Sequence, residues 1–168
     1  MAEMTTPRDL FLHELGDILY VERALADETL PKLSGEVEDG EFKAALESHL
    51  EETRKQVENV ERVFEIFGEE PEIEKCIGFE GLKEEHEALL RESSPALIDL
   101  IDLSAAARTE NDEIAAYEGL RRMAKSLRED QAVDLLDKNL EQEKDALGKV
   151  EKIATRLSNE SPKQHAAA

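Results

Sequence analysis

Glu110 and Glu113 stand three residues apart inside a run of apolar positions, Leu103, Ala107, Ile114, Tyr117, Leu120 and Ala124, that recur at helical spacing. On a helix that spacing puts both carboxylates on one face. A buried carboxylate is costly unless something cationic pairs with it, and two side by side repel. The pair therefore calls either for a wetter face than its neighbours imply or for a bound cation. Three other seams are interrupted in the same way. Glu22 sits among Phe11, Leu15, Ile18, Leu25 and Thr29, where an apolar residue is expected. Glu143 is the one polar member of Val133, Leu136, Leu140, Leu147, Val150, Ala154 and Leu157. His49, Glu52 and Gln56 are successive polar members of a seam that otherwise reads Phe42, Ala45, Val60, Val63 and Phe67. A single glutamate in such a stripe usually lies at the seam edge and reaches for water. All of them together form the donor set of a hard-cation site, of the kind two facing helix pairs can build.

The elements that must position these residues are four long helices. A threonine cap and a proline at Thr5-Thr6-Pro7 open the first, and Pro31 need not end it. Ser34-Gly35 and Asp39-Gly40 mark a turn, and the second helix runs from about Glu41 to Phe67, closed by Gly68. The stretch from Glu69 to Ser94 is too long for a tight turn and predicts an end-to-end crossover with a short helix over Leu82 to Arg91. Ser93-Ser94-Pro95 caps the third helix, which reaches Leu127, and a fourth follows the break near Arg128 to Asp130. The expected fold is all-α: a ferritin-like four-helix bundle whose long crossover carries a short fifth helix. Residues 1–158 are expected to form one domain, with a disordered tail over 159–168. Depth along the bundle supports a shared site. Glu22 and Glu52 lie about 15 residues either side of the first turn, and Glu113 and Glu143 about 15 either side of the last, so at about 1.5 Å per residue each pair is level. His49, one turn before Glu52, is expected to orient that carboxylate, with direct ligation or a plain hydrogen bond in the core as the alternatives, and Gln56 to offer an oxygen or an amide hydrogen bond. Tyr20 and Tyr117 read as packing residues, His13 and His86 as surface or interface residues, and Cys76 as packing in the crossover.

The formal charge of −20, from 41 acidic and 21 basic residues, argues against nucleic acid and anionic membrane as partners. Such an excess serves solubility, and it would suit a halophilic source equally well. The absence of an apparent leader or a long apolar run, with Cys76 as the single cysteine, points to the cytoplasm. Leu10, Leu19, Ile77, Phe79, Leu89 and Leu90 exceed what one seam per helix needs and are expected to face outward, in a homodimer interface.

Several short strings together resemble the YciE/YciF family of ferritin-like, stress-associated proteins. They are Asp9-Leu10-Phe11 with Tyr20-Val21-Glu22, His49-Leu50-Glu51-Glu52-Thr53 with Gln56, and Lys75-Cys76 with Gly81-Leu82-Lys83-Glu84. Glu110 with Glu113-Ile114-Ala115-Ala116-Tyr117, and Leu140 with Glu143-Lys144, complete the set. The resemblance implies a five-helix subunit, commonly dimeric, akin to rubrerythrin-like di-iron proteins. It makes two iron ions the expected cofactor, with Glu22 and Glu143 as terminal ligands, Glu52 and Glu113 as bridges, and Glu110 in the same set. Manganese or calcium would also suit oxygen ligands, and an empty site would leave a structural scaffold. The rubrerythrin pattern places a histidine three residues after the second-helix and fourth-helix glutamates. Here those positions hold Lys55 and Ala146. The implied reactivity toward dioxygen or peroxide therefore has to do without both imidazoles.

Overall fold

The computed structural model describes residues 3–160, and among the described residues all regular structure is helical. Helix α1 covers Pro7–Ala24 and is opened by a complete capping box. The Asp9 amide donates to the Thr6 hydroxyl, and the Asp9 carboxylate accepts from the Thr6 amide at 2.9 Å. The chain then passes through a widened π turn, Leu25–Thr29, into α2, Leu30–Glu36. Pro31 explains the widening. It has no N–H to give the carbonyl of Asp27, and its ring would collide with that carbonyl in a regular helix. One extra residue in the turn moves the carbonyl aside, so the helix continues past the proline, as its sequence allowed.

Val37 is extended, and the Asp39 side chain caps α3, Gly40–Ile66, by accepting from the Phe42 amide at 2.9 Å. Gly68, at φ +74°, ends α3 in the left-handed conformation that glycine adopts without steric cost. The crossover helix α4 runs over Ile77–Glu92, starting five residues before the expected Leu82 because Cys76 caps it through its sulfur. A short 3₁₀ turn, Pro95–Leu97, leads into α5, Ile98–Ser126, and α6 covers Asp130–Glu160. The last helix thus extends two residues into the stretch expected as tail; residues 161–168 lie outside the described part.

Helices α1, α3, α6 and α5 pack in a closed ring, each against the next, and α4 lies on α5. Their apolar stripes meet in one cluster centred on Phe11, Leu15, Phe42, Val60, Leu120 and Leu136. The outward expectation needs correction at Leu19 and Phe79, which are both buried. The crossover covers one side of α1, so this helix needs two apolar stripes rather than one. Gly16 permits that approach: a Cβ there would lie 2.7 Å from the carbonyl oxygen of Glu72. Tyr20 is also more than packing, since its hydroxyl donates to Glu80 of α4 at 2.9 Å. Leu10, Ile77 and Leu89 are exposed as expected, while Leu90 is half-buried.

Candidate metal centre

Halfway along the ring the apolar packing is interrupted by a polar layer. His49 from α3, Glu110 and Glu113 from α5, and Glu143 from α6 each offer one donor atom, and these atoms lie within 4.8 Å of one another. All four side chains are buried. His49 Nε2 stands 3.4 Å from Glu110 Oε1 and 3.8 Å from Glu143 Oε2. Several of the facing atoms have no hydrogen-bond partner: both oxygens of Glu113, Oε2 of Glu110 and of Glu143, and both nitrogens of His49. Unpaired buried carboxylates are among the most expensive groups a core can hold. Burial first, and the neighbouring carboxylates second, push the Glu110 and Glu113 carboxyls well above the ordinary value of 4.5.

The remaining expected residues stand around this group. Glu22 is fully buried on α1, with Oε1 accepting from the Tyr117 hydroxyl and Oε2 unpaired. Its carboxyl is also driven well up by burial and by Glu143. Glu52 is turned toward the edge. It lies 3.8 Å from His49 Nδ1 and 3.8 Å from the ammonium of Lys149. The imidazole, with help from Lys149, holds its carboxyl below the ordinary range. Gln56 donates from its amide nitrogen to Glu143 Oε1, which fixes that carboxylate. So the layer brings together Glu110, Glu113, Glu143 and His49 as a core, with Glu22 behind it and Glu52 at its rim.

Below the layer lies a network that the sequence reading did not single out. Asn139 of α6 donates to the Tyr117 hydroxyl at 2.9 Å and accepts from Asn59 at 2.7 Å. The buried Thr53 hydroxyl donates to the His49 carbonyl at 2.9 Å. Tyr117 thus links Asn139 to Glu22. The signal was spacing: Asn139 is four residues before Glu143 and three after Leu136, so it shares their face. His86 and Asp102 form a second missed pair, 2.6 Å apart, where α4 meets α5.

The donor set fits a hard cation. Carboxylate oxygens outnumber nitrogens, the donor atoms converge within 4.8 Å, and a divalent charge would offset the mutual repulsion of the buried carboxylates. Fold and cluster together define an all-helical protein with a buried carboxylate–imidazole centre. Residues 6–162 match the family described as a domain of unknown function, DUF892. Protein YciF of Escherichia coli K12 is 33% identical over 146 residues, which cover 84% of this chain and 86% of that protein. The crystal structure of the E. coli stress protein YciF matches with a TM-score of 0.85 at 33% identity, covering 93% of this chain and 99% of that one. YcfI from Rhodopseudomonas palustris, described as a candidate structural protein, matches with a TM-score of 0.85 at 34% identity over 89% of this chain and 95% of its own. A protein from Xanthomonas campestris shares the fold alone, at 20% identity and a TM-score of 0.69 over 92% of this chain and 98% of its own. The chain belongs to the DUF892 family, the YciE/YciF-type family that its motifs resemble.

Proposed function

We propose that this protein is a ferritin-like four-helix bundle, with a fifth helix in its crossover, that binds metal in the central carboxylate layer. The observation that carries the reading is the convergence of unpaired donor atoms from four buried side chains on three helices. His49, Glu110, Glu113 and Glu143 would hold a first ion, and Glu22 and Glu52 flank them as donors toward a second. Iron is the expected occupant from the family likeness, with manganese or calcium also matched to oxygen donors. Bound iron would supply redox chemistry toward dioxygen or peroxide. The chain's own contribution is positional. Gln56 and Tyr117 hold the Glu143 and Glu22 carboxylates in place. The protein is further read as a cytoplasmic homodimer with a part in stress responses, as the naming of the E. coli relative implies.

The second reading is a structural dimer whose layer is a remnant. Lys55 and Ala146, where imidazoles would complete two iron sites, favour it, as does the description of the R. palustris relative. Elemental analysis of protein purified without chelator, with a calorimetric titration of ferrous and manganous ions, separates them. Two metals per chain are expected on the first reading. No metal on isolation and no heat of binding would leave the second.

A further inference from the structure

The polar network beneath the metal layer crosses every helix of the ring, and its chemistry admits one polarity. It starts at Asn59 of α3 and runs through Asn139 of α6 and Tyr117 of α5 to Glu22 of α1. Asn139, Tyr117 and Glu22 are fully buried, so their donors need partners within the network. The Asn139 amide is the member whose direction is fixed from outside. Its nitrogen lies 3.3 Å from the backbone carbonyl of Gln56, and a carbonyl only accepts. Turning the amide over would set two oxygens against each other. It would also bring the Asn139 nitrogen against that of Asn59, which donates to the Asn139 oxygen at 2.7 Å. The nitrogen therefore faces Tyr117, and its second proton goes to the phenol oxygen at 2.9 Å. A phenol that accepts from Asn139 has its own single proton left for Glu22 Oε1. That leaves Oε2, buried and without a partner, as the one oxygen Glu22 can turn to a cation.

We propose that Asn139 is a positioning residue of the centre: it sets the direction of the Tyr117 O–H bond, and through it decides which oxygen of Glu22 is offered to metal. The assignment rests on the metal reading above. Glu143 is set in a matching way. Gln56 supplies the carbonyl that orients Asn139 and, from its side chain, the N–H that holds Glu143 Oε1. Oε2 of Glu143 is again the oxygen left unpaired. One residue of α3 thus sets the free oxygen of two carboxylates on two other helices, directly for Glu143 and through Asn139 and Tyr117 for Glu22. A side chain that only filled space would place no constraint on which oxygen is free.

Tyr20→Phe leaves Tyr117 as the only tyrosine. Its C–O stretch in the infrared distinguishes a phenol that donates, accepts or does both. In that background the metal-free protein should show both, and Asn139→Leu should show donation alone. Asn139→Ala removes the same N–H without adding bulk, should leucine prevent folding. Manganese titrations of the same proteins read the consequence. Removing a partner that stands behind a ligand typically weakens metal binding by roughly 10–100-fold, so Asn139→Leu should weaken it about tenfold. Tyr117→Phe should cause a similar loss. Adding Asn139→Leu to it should cause almost no more, because Asn139 acts through the phenol. An Asn139→Leu loss that adds in full to that of Tyr117→Phe marks packing rather than positioning, and overturns the proposal. So does a phenol that donates or accepts but not both before Asn139 is changed. A protein that binds no manganese while its phenol makes both bonds sinks the metal reading and, with it, any role of Asn139 toward a cation. Manganese bound as tightly after Asn139→Leu as before sinks the Asn139 assignment alone.

Discussion

Glu113 and Glu80 are the same side chain in opposite circumstances. Glu113 is buried with both oxygens unpaired, and its carboxyl is pushed far upward by burial and by Glu143, Glu22 and Glu110. Glu80, on the crossover helix, accepts from Lys83 at 2.9 Å and from Tyr20 at 2.9 Å, with Lys75 at 3.3 Å. Those donors bring its carboxyl down to about 2. The clasp at the crossover already has its cations. The central layer has one imidazole for its buried glutamates and no other cation among its core side chains. The difference separates a carboxylate that fastens the fold from carboxylates that burden it.

The largest expected effect exploits that burden. Metal at a hundredfold excess over its dissociation constant should stabilise the parent by about 2.7 kcal/mol. Replacing Glu143 with leucine restores the apolar seam of α6 and removes one buried charge. In the metal-free protein this should raise stability by about 1–3 kcal/mol, since exchanging buried charge for packing is often favourable. The same variant should lose most of the metal-induced gain. Melts of both proteins, with and without manganese, give the four values needed. Equal metal shifts in parent and variant would remove Glu143 from the ligand set.

The second effect is a pH dependence of the metal-free protein. Glu22, Glu110 and Glu113 have folded pKa values raised above the ordinary 4.5. The folded state therefore binds their protons more tightly than the unfolded chain does. Their contribution is fully present below 4.5 and is lost as pH rises through the folded values. Stability without metal should fall from about pH 5 upward, while the gain from added metal should grow, because metal and protons compete for the same oxygens. Chemical denaturation at several pH values would show this. A metal-free protein that is most stable in mild alkali would contradict the account of the layer.

The contrast also shows what the sequence could carry. Period-3.6 seams located all four long helices, and the polar residues that broke those seams turned out to be layer residues or close neighbours of them. Glu143 and Glu22 were legible because their seams were otherwise clean. Glu52 was not placed as well. Periodicity assigned it to the seam with His49 and Gln56, yet Thr53 is buried beside them and Glu52 leans out to Lys149. A polar run of three leaves the rotation of a helix face undetermined by about one residue. Leu19 and Phe79 were misjudged for a different reason. A seam analysis treats each helix as having one partner face, and it cannot see that the crossover returns across α1.

That return across α1 supplies the third expected effect. Gly16 accepts from the Glu74 amide at 3.1 Å through its own carbonyl, and its bare Cα lets the segment before α4 lie against the helix. Alanine there would bring a methyl group to 2.7 Å from a backbone oxygen, a contact that no rotamer change relieves. Gly16→Ala should therefore cost about 1–3 kcal/mol, the range for forced overpacking, even though alanine favours helix elsewhere. Hydrogen exchange should localise the loosening to the crossover and leave α6 unaffected. A neutral or stabilising change would mean that the crossover moves aside freely, and that the clasp does not fix its position.

The smallest effect belongs to the clasp carboxylate itself. Glu80→Gln removes the charge and keeps the shape, so Tyr20 and Lys83 can still approach. Ion pairs at a half-buried surface position such as this contribute little, and salt weakens them further. The midpoint should drop slightly at low ionic strength, by much less than in Gly16→Ala, and the drop should vanish in molar salt. Acid supplies the sign. Glu80 has a folded pKa depressed to about 2 from 4.5, so its contribution is present above 4.5 and is lost as pH falls through about 2. Parent and variant should therefore converge in strong acid and differ most near neutrality. This is opposite in direction to the loss expected at the central layer as pH rises. A gap between the two proteins that persists near pH 2, or that matches the cost of Gly16→Ala, would mean Glu80 holds the crossover by something other than its charge. The difference drawn between the two kinds of carboxylate would then fail at the crossover.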